Sequence, residues 1–225
     1  MEPYYYQTLS KAEQSSYQAM QAGLQAFAPS FPVPLLENRA LTDVFMKLRL
    51  DCPQLFYAGT FQYRYYPDSR NAELIPAYLF EKGKLKEHQK ALQSRVEKLV
   101  RPVARCSDEE KLLYIHDFIC KNVRYDKLKK QYSHEIIGVL GHGVGVCEGI
   151  AKAVKILCDA LQIQCIIALA ENNPEKGVKY RHAWNVVRLD KKYYHLDCTF
   201  DLSLGNPEEI RYDYFLLSDK QIFRD

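Results

Sequence analysis

Of the seven cysteines in this chain, Cys147 stands where a thiol becomes reactive. A glycine-rich run with Gly138, Gly141, Gly143 and Gly145 leads into Cys147, Glu148 and Gly149. Behind it, Ile150, Val154, Leu157 and Leu161 keep a helical period for about four turns. Cys147 therefore opens a helix, where the unpaired N–H groups of the first turn favour negative charge. A thiol attacks an acyl carbon only as the thiolate, so this position suits a nucleophile. The bland alternative is a small residue that begins a helix. The other six cysteines (Cys52, Cys106, Cys120, Cys158, Cys165 and Cys198) form no CxxC pair. They read as reduced thiols, most of them buried small hydrophobes, and neither a disulfide framework nor a zinc ribbon is suggested.

A cysteine nucleophile needs a base within hydrogen-bond reach, and the base needs an orienting partner. Two strand-like runs, Arg181 to Leu189 and Lys192 to Thr199, flank Asp190 and Lys191. If those two residues form a tight turn, facing residues have numbers summing to 381, so Thr199 faces His182 and Asp197 faces Trp184. Side chains alternate faces, which puts His182, Trp184 and Asp197 on one face with Asp197 diagonal to His182. A three-residue turn would send Asp197 to the other face, leaving Asp201 as the substitute carboxylate. Read singly, His182 is a strand histidine satisfied by a neighbour and Asp197 a surface carboxylate. Together with Cys147 they form a Cys-His-Asp set in compatible geometry.

The elements that must position this set follow from patterning. Ser10 with Glu13, and Ser107 with Glu110, have capping-box spacing. Helical periodicity predicts helices over about 11–27, 41–48 and 85–102, and another after Ser107 whose face is Leu112, Ile115, Ile119 and Val123. Pro29, Pro32 and Pro34 end the first of them. Thr60 to Tyr66 and Leu74 to Phe80 read as strands around a polar turn, and Cys165 to Ala170 as a third. A boundary falls near 101–106, dividing a helix-and-strand extension (1–104) from a core (105–225). The core runs helix, helix, then antiparallel strands, an α+β layout. The chain ends at Asp225 just after a strand-like YDYFLL run, which leaves room for a downstream segment.

Composition sets outer limits. At 225 residues and 26.2 kDa the chain makes one large domain or two small ones. The 31 basic residues are spread among 28 acidic ones for a net charge of +3, which argues against nucleic acid as a partner. No apolar run approaches the roughly 20 residues of a membrane helix. The N-terminal MEPYYYQTLS has no secretory pattern, so the expected compartment is the cytoplasm. The 17 tyrosines read mainly as packing in half-buried strands. No HExxH, EF-hand spacing or paired-cysteine motif calls for a metal, and no cofactor is expected.

Three blocks in order, GVGVCEGIAKAVKILCDAL (Gly143 to Leu161), RHAWNVV (Arg181 to Val187) and YYHLDCTFD (Tyr193 to Asp201), resemble the bacterial transglutaminase-like superfamily. The flanking IHDFICKNVRYD (Ile115 to Asp126) and RYDYFLLSD (Arg211 to Asp219) fit it too, so the resemblance covers roughly residues 107–219. It implies a papain-like α+β fold with Cys147 as nucleophile, His182 as general base and acid, and Asp197 as orienter. It implies a protein or peptide amide substrate and a Cys thioester, because the superfamily includes crosslinkers, cysteine peptidases, amidases and inactive members. Hydrolysis is the expected outcome. The alternatives are glutamine transamidation and a non-catalytic peptide or glycan binding module. Around the set, Trp184 either covers the catalytic pair or belongs to the core. His134 is a candidate second oxyanion donor beside the Cys147 N–H, or a surface-loop residue, and His142 a weaker one. His195 shares the catalytic face by parity but reads as structural. Glu148 reads as a favourable first-turn helix residue or as a charge on the substrate side.

Overall fold

Each serine and glutamate pair closes its capping box. The Glu13 N–H reaches Ser10 Oγ at 3.4 Å while the Ser10 N–H reaches the Glu13 carboxylate at 2.8 Å. Ser107 and Glu110 repeat this at 3.3 and 2.8 Å. The structure, a computed structural model, describes residues 3–170, 181–206 and 208–222. The chain divides into two units, residues 2–89 and 90–225.

The first unit contains α1 (Tyr4–Gln7), α2 (Lys11–Gln25), β1 (Phe31–Pro34), α3 (Asn38–Asp51), β2 (Ala58–Arg64) and β3 (Asn71–Tyr78). Its antiparallel sheet has the order β1-β3-β2. Two of these elements go beyond the sequence expectation. α1 is started by a remote group: the Asp51 carboxylate accepts the Tyr5 and Tyr6 N–H groups at 3.0 Å each. β1 carries Pro32 and Pro34, which are tolerated because the strand lies at the sheet edge, where a missing donor costs little. α4 (Lys82–Val100) follows, burying Leu85, Leu92 and Val96.

In the second unit, α5 (Asp108–Asn122) leads to β4 (Arg124–Tyr125), β5 (Val144–Gly145) and α6 (Cys147–Ala160). Then come β6 (Cys165–Ala170), β7 (His182–Leu189), β8 (Lys192–Leu196), α7 (Cys198–Leu204) and α8 (Asp219–Ile222). β6, β7 and β8 form an antiparallel sheet, and β4 with β5 a short parallel pair. Ile150, Val154 and Leu157 from α6 are buried together with Ile167, Val187 and Leu196 from the sheet. A helix carrying Cys147 at its start, packed on an antiparallel sheet, makes a papain-like α+β core. Among the described residues no helix is long and apolar enough to cross a membrane.

The hairpin forms as the parity argument requires. Asp190 and Lys191 both take positive φ, 48° and 64°, as a two-residue turn demands. Leu189 then faces Lys192, and Asn185 faces Leu196. The expected strand to Thr199, however, is cut short. β8 ends at Leu196, and Asp197 caps α7 by accepting the Thr199 and Phe200 N–H groups at 3.0 and 3.1 Å. Thr199 therefore does not face His182. The YDYFLL run is also no strand, because it bends and makes a single bridge, Leu217 to His195. The glycine-rich run contains a wide helical turn, Ile137–Gly141, in place of an open loop.

Gly149 permits a close approach that decides where α6 begins. A Cβ there would lie 2.2 Å from the Ser133 carbonyl oxygen, a backbone atom already accepting the Val146 N–H at 3.0 Å. Gly149→Ala should therefore destabilise the protein by about 1–3 kcal/mol, the usual cost of overpacking. Urea denaturation measures this, and an unchanged midpoint would contradict the contact.

Candidate active site

Three elements bring the sequence-derived residues together. Cys147 begins α6, His182 begins β7, and Asp197 sits in the corner between β8 and α7. Asn185, three residues beyond His182, ties β7 to α6 through Nδ2–H donated to the Ala151 carbonyl at 2.9 Å. The helix that starts with Cys147 and the strand that starts with His182 are thus pinned to each other one turn from the site.

His182 Nε2 lies 2.5 Å from Asp197 Oδ2. The imidazole also lies close enough to the Cys147 side chain for each group to shift the other's pKa. Since Asp197 occupies Nε2, the ring nitrogen left for sulfur is Nδ1. Further donors to the sulfur are the Ala183 and Glu148 backbone N–H groups. Burial pushes the Cys147 thiol up, but the His182 hydrogen bond, the Ala183 N–H, the His182 charge and the Glu148 N–H outweigh it, and its pKa falls below the ordinary value of 9.0. For His182 burial works downward, yet hydrogen bonds to Asp197 and Cys147, with their charges, push it up to about 9. Opposite shifts on two neighbouring groups both favour charge separation between sulfur and imidazole, and the protons belong to the pair more than to either residue.

Aromatic rings enclose the imidazole. Trp184 lies nearly parallel to it, 13° apart with centroids at 5.8 Å. Phe200 also stacks on it, at 4.4 Å and 22°. Phe200 escaped the sequence reading because it lies one residue past the strand expected to end at Thr199. The available signal was Asp197 three residues earlier, a residue type that favours starting a helix.

The remaining candidates sort by their contacts. His134 Nδ1 is 3.3 Å from Glu148 Oε2, and the ring is partly exposed. Lys152, absent from the sequence reading, is fully buried one turn along α6. Its ammonium reaches Glu148 Oε1 at 2.7 Å, Glu135 Oε1 at 2.9 Å and the His134 carbonyl at 3.1 Å, binding the 133–135 segment to the helix start. His142 is exposed, with its ring 5.1 Å from Tyr132. Tyr125 lies close enough to Cys147 for the sulfur's charge to raise its phenol pKa, after the larger effect of burial.

Asp201, the substitute carboxylate, belongs to a different cluster. It is buried against His116 Nε2 at 3.0 Å, and Cys120 Sγ lies 3.7 Å from the same nitrogen. Here the same three residue types give the opposite electrostatics. Burial, then the charges of Asp201 and Asp117, push the Cys120 thiol up to about 12. Among the described residues no His, Cys, Asp and Glu side chains gather in a group that holds a metal.

Comparison with known proteins finds similarity to one family and to solved structures. The sequence profile of the transglutaminase-like superfamily matches residues 96–198. No protein of curated function matches the chain. Among solved structures, one described as the crystal structure of a TGase is 14% identical with a TM-score of 0.40, covering 63% of this chain and 44% of that one. Another, a "Putative Cysteine Protease" from Cytophaga hutchinsonii, is 15% identical with a TM-score of 0.39, covering 62% of this chain and 61% of its own. The chain thus spans less than two thirds of either structure.

The thiol environments predict an order of reactivity. With iodoacetamide at pH 6.5, Cys147 should alkylate before the other six. Cys120, Cys158 and Cys198, whose pKa values are all raised, should react only on unfolding. His182→Ala should slow Cys147 by about tenfold for each unit its pKa rises. Peptide mapping by mass spectrometry decides, and equal labelling of all seven thiols would contradict the pairing.

Proposed function

Because residues 96–198 match the sequence profile of the transglutaminase-like superfamily, we propose that the chain is a cysteine-dependent acyl-transfer enzyme acting on amide bonds of a protein or peptide. The observation that carries this reading is the convergence of three elements on one site: Cys147 at the start of α6, His182 at the start of β7, and Asp197 with its Oδ2 2.5 Å from His182 Nε2. The Cys147 thiolate attacks the amide carbonyl carbon. The carbon–nitrogen bond breaks, His182 gives its proton to the leaving amine, and a thioester remains on sulfur. Neutral His182 then takes a proton from water, which attacks the thioester and releases the acid and Cys147. Asp197 holds the imidazole in orientation throughout. First-turn N–H groups of α6, with Cys147 N–H foremost, supply oxyanion donors, and His134 is the side-chain candidate for a second. Trp184 and Phe200 keep water from the imidazole faces, which strengthens the ion pair.

We assign catalysis to residues 105–225. Water is the acceptor in this reading. An amine competes with water at ~55 M only if a second pocket orients it. The aromatic rings of this site are stacked on His182, where they serve the pair. Seven free thiols favour a reducing compartment, and the bacterial cytoplasm is the proposed location.

A panel of peptide and glutamine amides, with intact-mass detection of acylated Cys147, tests the reaction class. Millimolar lysine-like amines in the same mixture test the acceptor. Hydrolysed product should dominate. An excess of isopeptide product would replace the hydrolase with a transamidase, and tight peptide binding without any acylation would favour a binding module. His182→Ala should lower turnover by about 10²–10⁴-fold.

The pH dependence has a defined sign. The reacting state holds protonated His182, so kcat/KM should fall as pH rises through about 9. Asp197→Asn keeps a good cap for α7, so stability should change by less than about 1 kcal/mol. Removing the carboxylate charge should nevertheless move the alkaline limb to lower pH. A limb that stays in place would contradict the role given to Asp197.

A further inference from the structure

We infer that His195 is a positioning residue for this site: by accepting the indole N–H of Trp184 it fixes the ring lying over His182. The inference rests on the acyl-transfer reading for its purpose, although the contact itself is independent of it. Trp184 Nε1 lies 2.9 Å from His195 Nδ1. An indole nitrogen can only donate, so His195 Nδ1 must carry a lone pair and the proton must sit on Nε2. That nitrogen has its own acceptor, Asp219 Oδ1 at 2.9 Å. Both ring nitrogens are therefore committed in the one tautomer that serves Trp184.

The backbone fixes the ring as firmly. His195 N–H donates to the Leu217 carbonyl at 2.7 Å, and the Leu217 N–H returns to the His195 carbonyl at 2.9 Å. On its other side His195 faces Val186 in the β7–β8 ladder. His195 is buried, and its ring stands 6.1 Å from the indole. The result is a line from Asp219 through His195 and Trp184 to the imidazole of His182. Without its anchor the indole can turn about its side-chain torsions and uncover one face of the imidazolium. Water reaching that face competes with Cys147 and Asp197 for the charge.

The chain contains one tryptophan, so its emission reports this ring without labelling. An imidazolium in contact quenches indole fluorescence. His195→Leu should therefore relieve the quenching at neutral pH, shift the emission, and slow Cys147 alkylation by about fivefold, the worth of one hydrogen bond. His195→Asn, whose Oδ1 can accept where Nδ1 does, should restore both readouts. In a double-mutant cycle, His195→Leu should cost nothing further once Trp184→Phe has removed the indole N–H. An unchanged emission in His195→Leu, a failed rescue by His195→Asn, or an undiminished cost in the Trp184→Phe background would each overturn the inference. Alkylation and emission need no amide turnover. Should no amide acylate Cys147 while the cycle behaves as stated, the proposed reaction falls and the anchor stands.

Discussion

The Asp197 carboxylate holds the site together because its two oxygens serve two different structures. Oδ1 accepts the Thr199 and Phe200 N–H groups and starts α7. Oδ2 meets His182 Nε2. The same group that ends the strand therefore orients the imidazole, and the helix it starts delivers Phe200 to stack on that imidazole. Its backbone is held too, with the Asp197 N–H donated to the Tyr214 carbonyl at 3.0 Å. A carboxylate fixed at all these points presents one geometry to His182, which leaves Nδ1 directed to sulfur.

Placement alone does not make a thiol nucleophilic, as a comparison within this chain makes plain. Cys120, His116 and Asp201 also lie in contact with one another, yet the thiol is pushed up to about 12. Burial dominates there, and two carboxylates add to it. At Cys147 burial acts in the same direction, but backbone N–H donors and the His182 ring face the sulfur and reverse the outcome. The difference lies in what surrounds sulfur: donors and positive charge at a helix start in one case, carboxylates in the other.

Much of this was legible in the sequence, for identifiable reasons. The hairpin register followed from a two-residue turn and strict alternation, both local properties, and the capping boxes were readable from spacing alone. The illegible parts depend on distant partners or on conflicting local preferences. Thr199 and Phe200 favour strands, so the cap at Asp197 and the helix behind it were hidden. α1 exists because Asp51, more than forty residues away, accepts its first N–H groups. The His116–Asp201 contact joins residues 85 positions apart. Lys152 carries no signal in the sequence beyond Glu148 one turn before it, because its other carboxylate, Glu135, lies 17 positions away.

The central claim is that Cys147 and His182 share an ion pair which Asp197 holds in place. Nitrogen-15 NMR of the histidine rings across pH, in the native chain and in Cys147→Ala, measures it most directly. In the native protein the His182 ring should titrate near pH 9, because the sulfur and Asp197 both favour the imidazolium. Removing the sulfur should lower that value, since its hydrogen bond and charge are lost. A His182 ring that titrates near the ordinary 6.5 in both proteins would contradict the account.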